Sequence, residues 1–146
     1  YEGARTAIEQ ADYIILGPGS LYTSIVAALL PEGMKEAIEK SEGKLMYIVG
    51  NAYTKTAETG PETLSAFVKE LQGYLPRKID YVVHNDHLQN DAERAAYADR
   101  EWAVFTSDEE NIPDYRIVHG DFERDIADAP GLDPVKLGDI LKKLLV

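Results

Sequence analysis

With 146 residues, 45% of them hydrophobic and 28% charged, the chain is long enough to bury about two thirds of its unfolded surface around one core, so one domain spanning residues 1–146 is expected. Its 15 Lys and Arg stand against 26 Asp and Glu, a formal charge of −11 whose field repels nucleic-acid backbones and anionic membranes. There is no cysteine, which excludes disulfides, thiolate metal sites and cysteine nucleophiles, and no run approaches the roughly 18 apolar residues that cross a bilayer.

Tyr1-Glu2-Gly3-Ala4 lacks an initiator Met and lacks the basic start and apolar core of a signal peptide. The expectation is a processed or excised piece of a larger, soluble, cytoplasmic protein. Residues 11–16 (ADYIIL), 45–49 (LMYIV) and 79–83 (IDYVV) are short apolar runs rich in Ile, Val and Tyr, the pattern of buried strands. Helical patterns over 20–30 and 34–41 separate the first two runs, and one over 61–75 separates the second from the third. In that last segment Leu64, Phe67, Val68, Leu71 and Leu75 form a core-facing stripe, and Thr59 with Glu62 has the form of a capping box. Residues 92–98 suit a helix, 102–106 a strand or a buried turn, and 115–118 (YRIV) a fourth strand. Asp133-Pro134 reads as an N-cap followed by a proline in the first turn, opening a helix whose stripe is Leu137, Ile140, Leu141 and Leu144. Alternation of this kind predicts an α/β fold: a parallel sheet, right-handed crossovers, and helices on both faces.

Between the first strand and its helix stands Gly17-Pro18-Gly19-Ser20, followed by Tyr22, Thr23 and Ser24. Two readings are open. Backbone N–H groups at the start of a helix, aided by these hydroxyls, can hold a phosphate; alternatively the glycines shape a turn and Ser20 caps the helix. A dinucleotide fingerprint would need glycine where Tyr22 stands, and a P-loop needs Gly-Lys-Ser/Thr, which is absent. Asn51 to Thr59 follow the second strand and would emerge on the same sheet edge, although Asn and Thr are also common turn and cap formers. His84-Asn85-Asp86-His87 follows the third strand, but His-x-x-His alone is too few ligands for a metal, and none is assigned. The acidic run Asp121-Phe122-Glu123-Arg124-Asp125 lacks the glycine and glutamate of a calcium loop and reads as a solvated face. Trp102 reads as core, and no nucleophile can be assigned from spacing.

Taken together, "ADYIILGPGSLYTSI", the "N-x-x-T-x-x-x-E-T" spacing of Asn51, Thr54, Glu58 and Thr59, and "IDYVVHND" resemble the C-terminal half of the 2-phospho-L-lactate transferase-like (CofD-like) family. Within it, the run Gly-Pro-Gly-Ser-Leu-Tyr-Thr-Ser is most similar to the gluconeogenesis factor (YvcK-like, UPF0052) branch. The resemblance implies a Rossmann-like fold and a fragment of a larger domain. It implies binding of a nucleotide-activated sugar such as a UDP-sugar, with a regulatory role in central carbon metabolism and cell shape, and it leaves a homo-oligomer open. It implies a ligand or phosphate site at Gly17, Pro18, Gly19, Ser20, Tyr22, Thr23 and Ser24, faced by Asn51, Thr54, Glu58, Thr59 and Asn85. The other branch implies a phospholactyl-type transferase of deazaflavin coenzyme synthesis, with a divalent metal such as Mg. Two departures stand out: Lys55-Thr56-Ala57 replaces the Gln-Pro-Gly usual in the gluconeogenesis factor branch, and the family's N-terminal glycine-rich loop has no counterpart.

Overall fold

Short strands of Ile, Val and Tyr suit burial on both faces, and in this chain they pair in parallel with helices packed on either side. The computed structural model describes residues 2–50, 52–54, 60–125 and 129–145. In chain order the elements are α1 (Glu2–Glu9), β1 (Tyr13–Leu16), a π-helical segment (Leu21–Val26) continuing into α2 (Ala27–Leu29), α3 (Met34–Lys40), β2 (Lys44–Ile48) and β3 (Ala52–Thr54). They continue with α4 (Leu64–Tyr74), β4 (Tyr81–Asn85), α5 (Asp91–Ala98), β5 (Trp102–Val104), a 3-10 turn (Glu109–Asn111), β6 (Ile117–Gly120) and α6 (Pro134–Leu144).

The main sheet has the order β1-β2-β4-β6, parallel throughout, with Tyr13 opposite Lys44, Met46 opposite Tyr81 and Val82 opposite Ile117. All four strands therefore end on one edge. The fold is Rossmann-like, and its centre is β2, whose alternate residues point to opposite faces. Leu45, Tyr47 and Val49 pack with the stripe of α4 and with Leu21, Ile25, Val26 and Leu29, while Met46 and Ile48 pack with Val83, Phe122 and the α6 residues Leu137, Ile140, Leu141 and Leu144. Each fully buried Leu or Ile contributes about 1.5–3 kcal/mol of transfer free energy. At the opposite edge, Arg77 donates to Asp80 (3.1 Å), to the Ile38 carbonyl (3.0 Å) and to the Gly43 carbonyl, and Asp80 accepts from the Leu45 N–H at 2.8 Å. Among the described residues no helix is long and apolar enough to cross a membrane.

Several boundaries shift. The helix expected from residue 61 starts at Leu64, because Thr63 caps it by accepting from the Ala66 N–H at 3.3 Å; the proposed partner Thr59 lies outside the described residues. Asp133 caps α6 as expected, accepting from Val135 and Lys136 at 2.8 and 2.9 Å. Helix α1 and strand β3 had no sequence counterpart: α1 has no buried residue, only Ile8 and Ala11 nearby touching the core, and β3 pairs antiparallel with β5 in a separate two-stranded ribbon. The ribbon resolves the ambiguity at 102–106, since Trp102 faces Thr54 in its register.

Candidate functional site

The loop from β1 to the π-helical segment has the features of an open cradle more than those of a tight turn. Neither Gly17 nor Gly19 has a positive φ; the glycines that do are Gly33 and Gly131. A Cβ on Gly17 would meet nothing within 4 Å, and one on Gly19 would lie 3.3 Å from Ser24 Cβ. Left-handed backbone therefore explains neither glycine, and at Gly17 the missing side chain leaves open space beside the sheet edge. Ser20 occupies the N-cap position, but its side chain makes no capping hydrogen bond. Its carbonyl accepts from the N–H groups of both Ser24 and Ile25, each at 3.1 Å, the widened spacing of a π turn, a feature that recurs at functional sites. Pro18, Gly19, Ser20, Thr23 and Ser24 are exposed, whereas the Tyr22 hydroxyl donates to Glu70 of α4 at 3.1 Å.

Gly19 and Ser20 form one wall of a cleft of about 250 Å³, faced by Gly50, Tyr53 and Thr54 and closed by Tyr97 and Trp102. The first two loops thus meet across one space, as their positions at the ends of neighbouring parallel strands required. None of the described residues lining this cleft is charged. Burial, followed by the nearby Glu62 carboxylate, raises the Tyr53 hydroxyl above its ordinary pKa and keeps it a neutral donor. Trp102 is half-buried in this wall rather than in the core, 6.1 Å from the Tyr97 ring and with the Arg100 guanidinium 5.9 Å from its centroid. Asn51, Glu58 and Thr59 lie outside the described residues.

Asn85 is elsewhere. It lines a second cleft, of about 390 Å³, at the ends of β4 and β6, together with His84, Asp86, His87, Glu109 and His119. Its carboxamide is committed: Oδ1 accepts from the Phe122 N–H at 3.0 Å and Nδ2 donates to Glu123 at 2.9 Å. Glu123 also accepts from the Tyr97 hydroxyl at 2.6 Å and from Gln89 at 3.4 Å. The acidic run is thus not a solvated face throughout, since Phe122 and Glu123 are buried, the first as an apolar anchor under α6 and the second as the hub of this network. Phe122 was the clue within the run; the partners of Glu123 come from remote segments and no spacing announces them.

All three histidines of the chain line the second cleft. His84 is 5% exposed and packs 5.9 Å from the Phe105 ring and 6.1 Å from the His119 ring. Burial, then the neighbouring His119, lowers its pKa, with Glu109 and Asp86 pulling the other way. His87 behaves oppositely: burial alone would lower its pKa, but hydrogen bonds to Glu93 (3.1 Å) and Asp121 (3.2 Å) raise it. His119 Nε2 sits 3.1 Å from Glu109, and Asp108, next to Glu109, is tied to Ser65 by two bonds of 2.7 Å.

Residues 1–122 match the profile of the family described as 2-phospho-L-lactate transferase CofD. The chain belongs to the CofD family. Within that family it is similar to gluconeogenesis factors: it shares 37% identity with a Thermotoga maritima protein provisionally given that name, over 94% of this chain and 45% of the relative. It also shares 38% identity with the gluconeogenesis factor of Halalkalibacterium halodurans, over 63% of this chain and 29% of that one. The fold matches a crystal structure of a Bacillus halodurans protein of the UPF0052 family, with a TM-score of 0.84, 27% identity, and coverage of 95% of this chain and 46% of the other. This CofD-family chain therefore spans less than half the length of these relatives.

Proposed function

We propose that this chain is the nucleotide-sugar-binding part of a cytoplasmic regulatory protein of the gluconeogenesis factor type, acting on central carbon metabolism and cell shape, and that residues 1–146 form one α/β unit of a larger domain. The observation that carries the reading is the first cleft: in a chain of net charge −11, its described lining is free of charge and combines Gly19, Ser20 and Gly50 with aromatic walls. Backbone amides and hydroxyls hold a phosphate best where no carboxylate lines the same cleft, and Glu62, near enough to act on the Tyr53 hydroxyl, is not among the lining residues. In this reading Gly17 to Ser20 receive the diphosphate, with Tyr53 and Thr54 opposite, while Asn85 acts indirectly by fixing Phe122 and Glu123.

Isothermal titration with UDP-N-acetylglucosamine tests it, on this chain and on a version lengthened to the size of its relatives. Binding by the lengthened version, weakened at least tenfold by Gly19→Val, is expected; no binding by either version overturns the reading.

A second reading, a phospholactyl-type transferase, draws on the family's own description. Its chemistry would use a divalent metal such as Mg to offset phosphate charge. The described residues do not fit that ion as they stand, because no three His, Asp or Glu side chains among them are grouped to hold a metal. Metal-dependent transfer to a deazaflavin acceptor by the lengthened version would favour this reading over the first.

A further inference from the structure

Helix α5 has one buried residue, Tyr97, which stands in its last turn. Its alanines offer little else to pack, since Ala92, Ala95 and Ala98 are exposed and Ala96 is half-buried. The Tyr97 ring lines the first cleft, 6.1 Å from the Trp102 ring, and its hydroxyl donates to buried Glu123 at 2.6 Å, a length typical of an O–H on a carboxylate. A tight corner joins the two aromatic residues. The N–H groups of Arg100 and Glu101 return to the carbonyls of Tyr97 and Ala98 at 3.0 and 2.9 Å, and Glu101 takes a left-handed φ of 59°, uncommon outside glycine. Beyond that corner Trp102 opens β5, which pairs with β3 and so with Tyr53 and Thr54. The other end of α5 is held separately, by the capping box of Asn90 and Glu93 and by His87, 3.1 Å from Glu93.

We propose that Glu123 is a positioning residue for the first cleft: through the Tyr97 hydroxyl it seats the aromatic wall of Tyr97 and Trp102 against which the ligand closes. The inference rests on the ligand reading of that cleft and adds the residue that sets its wall. Glu123 lines neither cleft, so it acts through Tyr97. Its own mounting is rigid. Phe122 beside it is fully buried under α6, and Lys136 donates to the Glu123 carbonyl at 2.9 Å. The donor pattern explains why the post is a carboxylate. Asn85 and Gln89 donate to Oε2 at 2.9 and 3.4 Å, and Tyr97 donates to Oε1. Asn85 cannot turn its carboxamide over, because its Oδ1 accepts from the Phe122 N–H at 3.0 Å. Only a group with acceptors at both ends meets all three donors at once. A mostly exposed helix is thus hung at its C-terminal end on one core-mounted carboxylate, and Trp102 follows where Tyr97 is held.

The test uses the version lengthened to the size of its relatives and two readouts: calorimetric affinity for UDP-N-acetylglucosamine, and Trp102 emission, isolated by subtracting the spectrum of a Trp102→Phe variant. Tyr97→Phe removes only the hydroxyl. Glu123→Gln turns an amide N–H toward that hydroxyl, because Asn85 claims the remaining oxygen. Well below the melting transition, both variants are expected to red-shift Trp102 emission and to raise its quenching by acrylamide. Both should weaken the ligand about fivefold, as when the competent wall falls to about a fifth of the population. His87→Gln, which frees the first turn of α5 instead, should leave both readouts at parent values. A lower melting temperature with unchanged emission and affinity would make the Glu123 bond purely structural and overturn the proposal, as would a His87→Gln shift equal to that of Tyr97→Phe. If the parent binds no UDP-N-acetylglucosamine, the ligand reading falls by itself; an emission shift in Tyr97→Phe then still upholds the seating of the wall, and no shift overturns it.

Discussion

The two clefts sit on one edge of one sheet, yet one is uncharged and the other carries ionisable side chains. At the ends of β1 and β2 the described lining is glycine, hydroxyl and aromatic side chains; at the ends of β4 and β6 it is three imidazoles and two carboxylates. A parallel sheet fixes where loops emerge and says nothing about their charge. The contrast matters because long-range repulsion from a net −11 acts on any phosphorylated ligand, so local exclusion of carboxylates is what a phosphate site in this chain requires. The clefts also differ in how their polar groups are used. Ser20 spends nothing on its own helix, whereas Asn85 and Glu123 are consumed in holding the second cleft together.

That difference predicts where mutations should hurt folding and where they should hurt binding. The largest effect is expected from Asn85→Ala, which strands the buried Phe122 N–H and removes a donor from buried Glu123; about 2–4 kcal/mol should be lost, read as a lower urea midpoint. A loss below about 0.5 kcal/mol would mean that water replaces the carboxamide and that the network is not structural. Ser20→Asp sharpens the comparison from the other side. Aspartate is a good N-cap, so the melting temperature should hold or rise, while a carboxylate in the uncharged cleft should weaken UDP-N-acetylglucosamine by at least tenfold, about 1.4 kcal/mol. Parallel loss of stability and affinity would return the loop to a purely structural role. Gly17→Ala should be milder still: its Cβ meets nothing within 4 Å and its φ is not left-handed, so stability should change by less than about 1 kcal/mol, in either direction, on thermal melting.

The sheet was legible in the sequence because its signals are local. Runs such as LMYIV announce burial on both faces, and the Leu64, Phe67, Val68, Leu71 stripe announces a packed helix; both stand where expected within a few residues. The meeting of the first two loops was legible too, as a consequence of parallel strand order. What escaped depended on contacts between distant segments. β3 is a strand only because β5 pairs with it, so Tyr53 and Thr54 looked like turn residues, and Trp102 looked like core. Glu123 was hidden because its partners Asn85, Gln89 and Tyr97 lie 26 to 38 residues away. Asn85 was grouped with the glycine loop by resemblance, but the sheet order places it two strands from β1, on the second cleft.

The smallest expected effect separates two histidines three residues apart. The folded pKa of His84 is lowered by burial and by His119, against Glu109 and Asp86, so the unfolded chain takes up its proton first as pH falls below about 6.5. Its contribution to stability is therefore full above that pH and declines on the acid side. His87, held between Glu93 and Asp121, has a raised folded pKa, so its contribution is full below about 6.5 and is lost as pH climbs through the raised value. The two slopes oppose each other and should give a shallow stability maximum near neutrality. Urea denaturation between about pH 5.5 and 8 resolves them, because the carboxylates facing His87 have lowered pKa values and titrate below that window. His84→Leu should flatten the acid limb and leave the alkaline limb; His87→Gln should do the reverse. If His87→Gln instead flattened the acid limb, its two carboxylate contacts would not persist in solution, and the second cleft would be held by the Asn85 and Glu123 network alone.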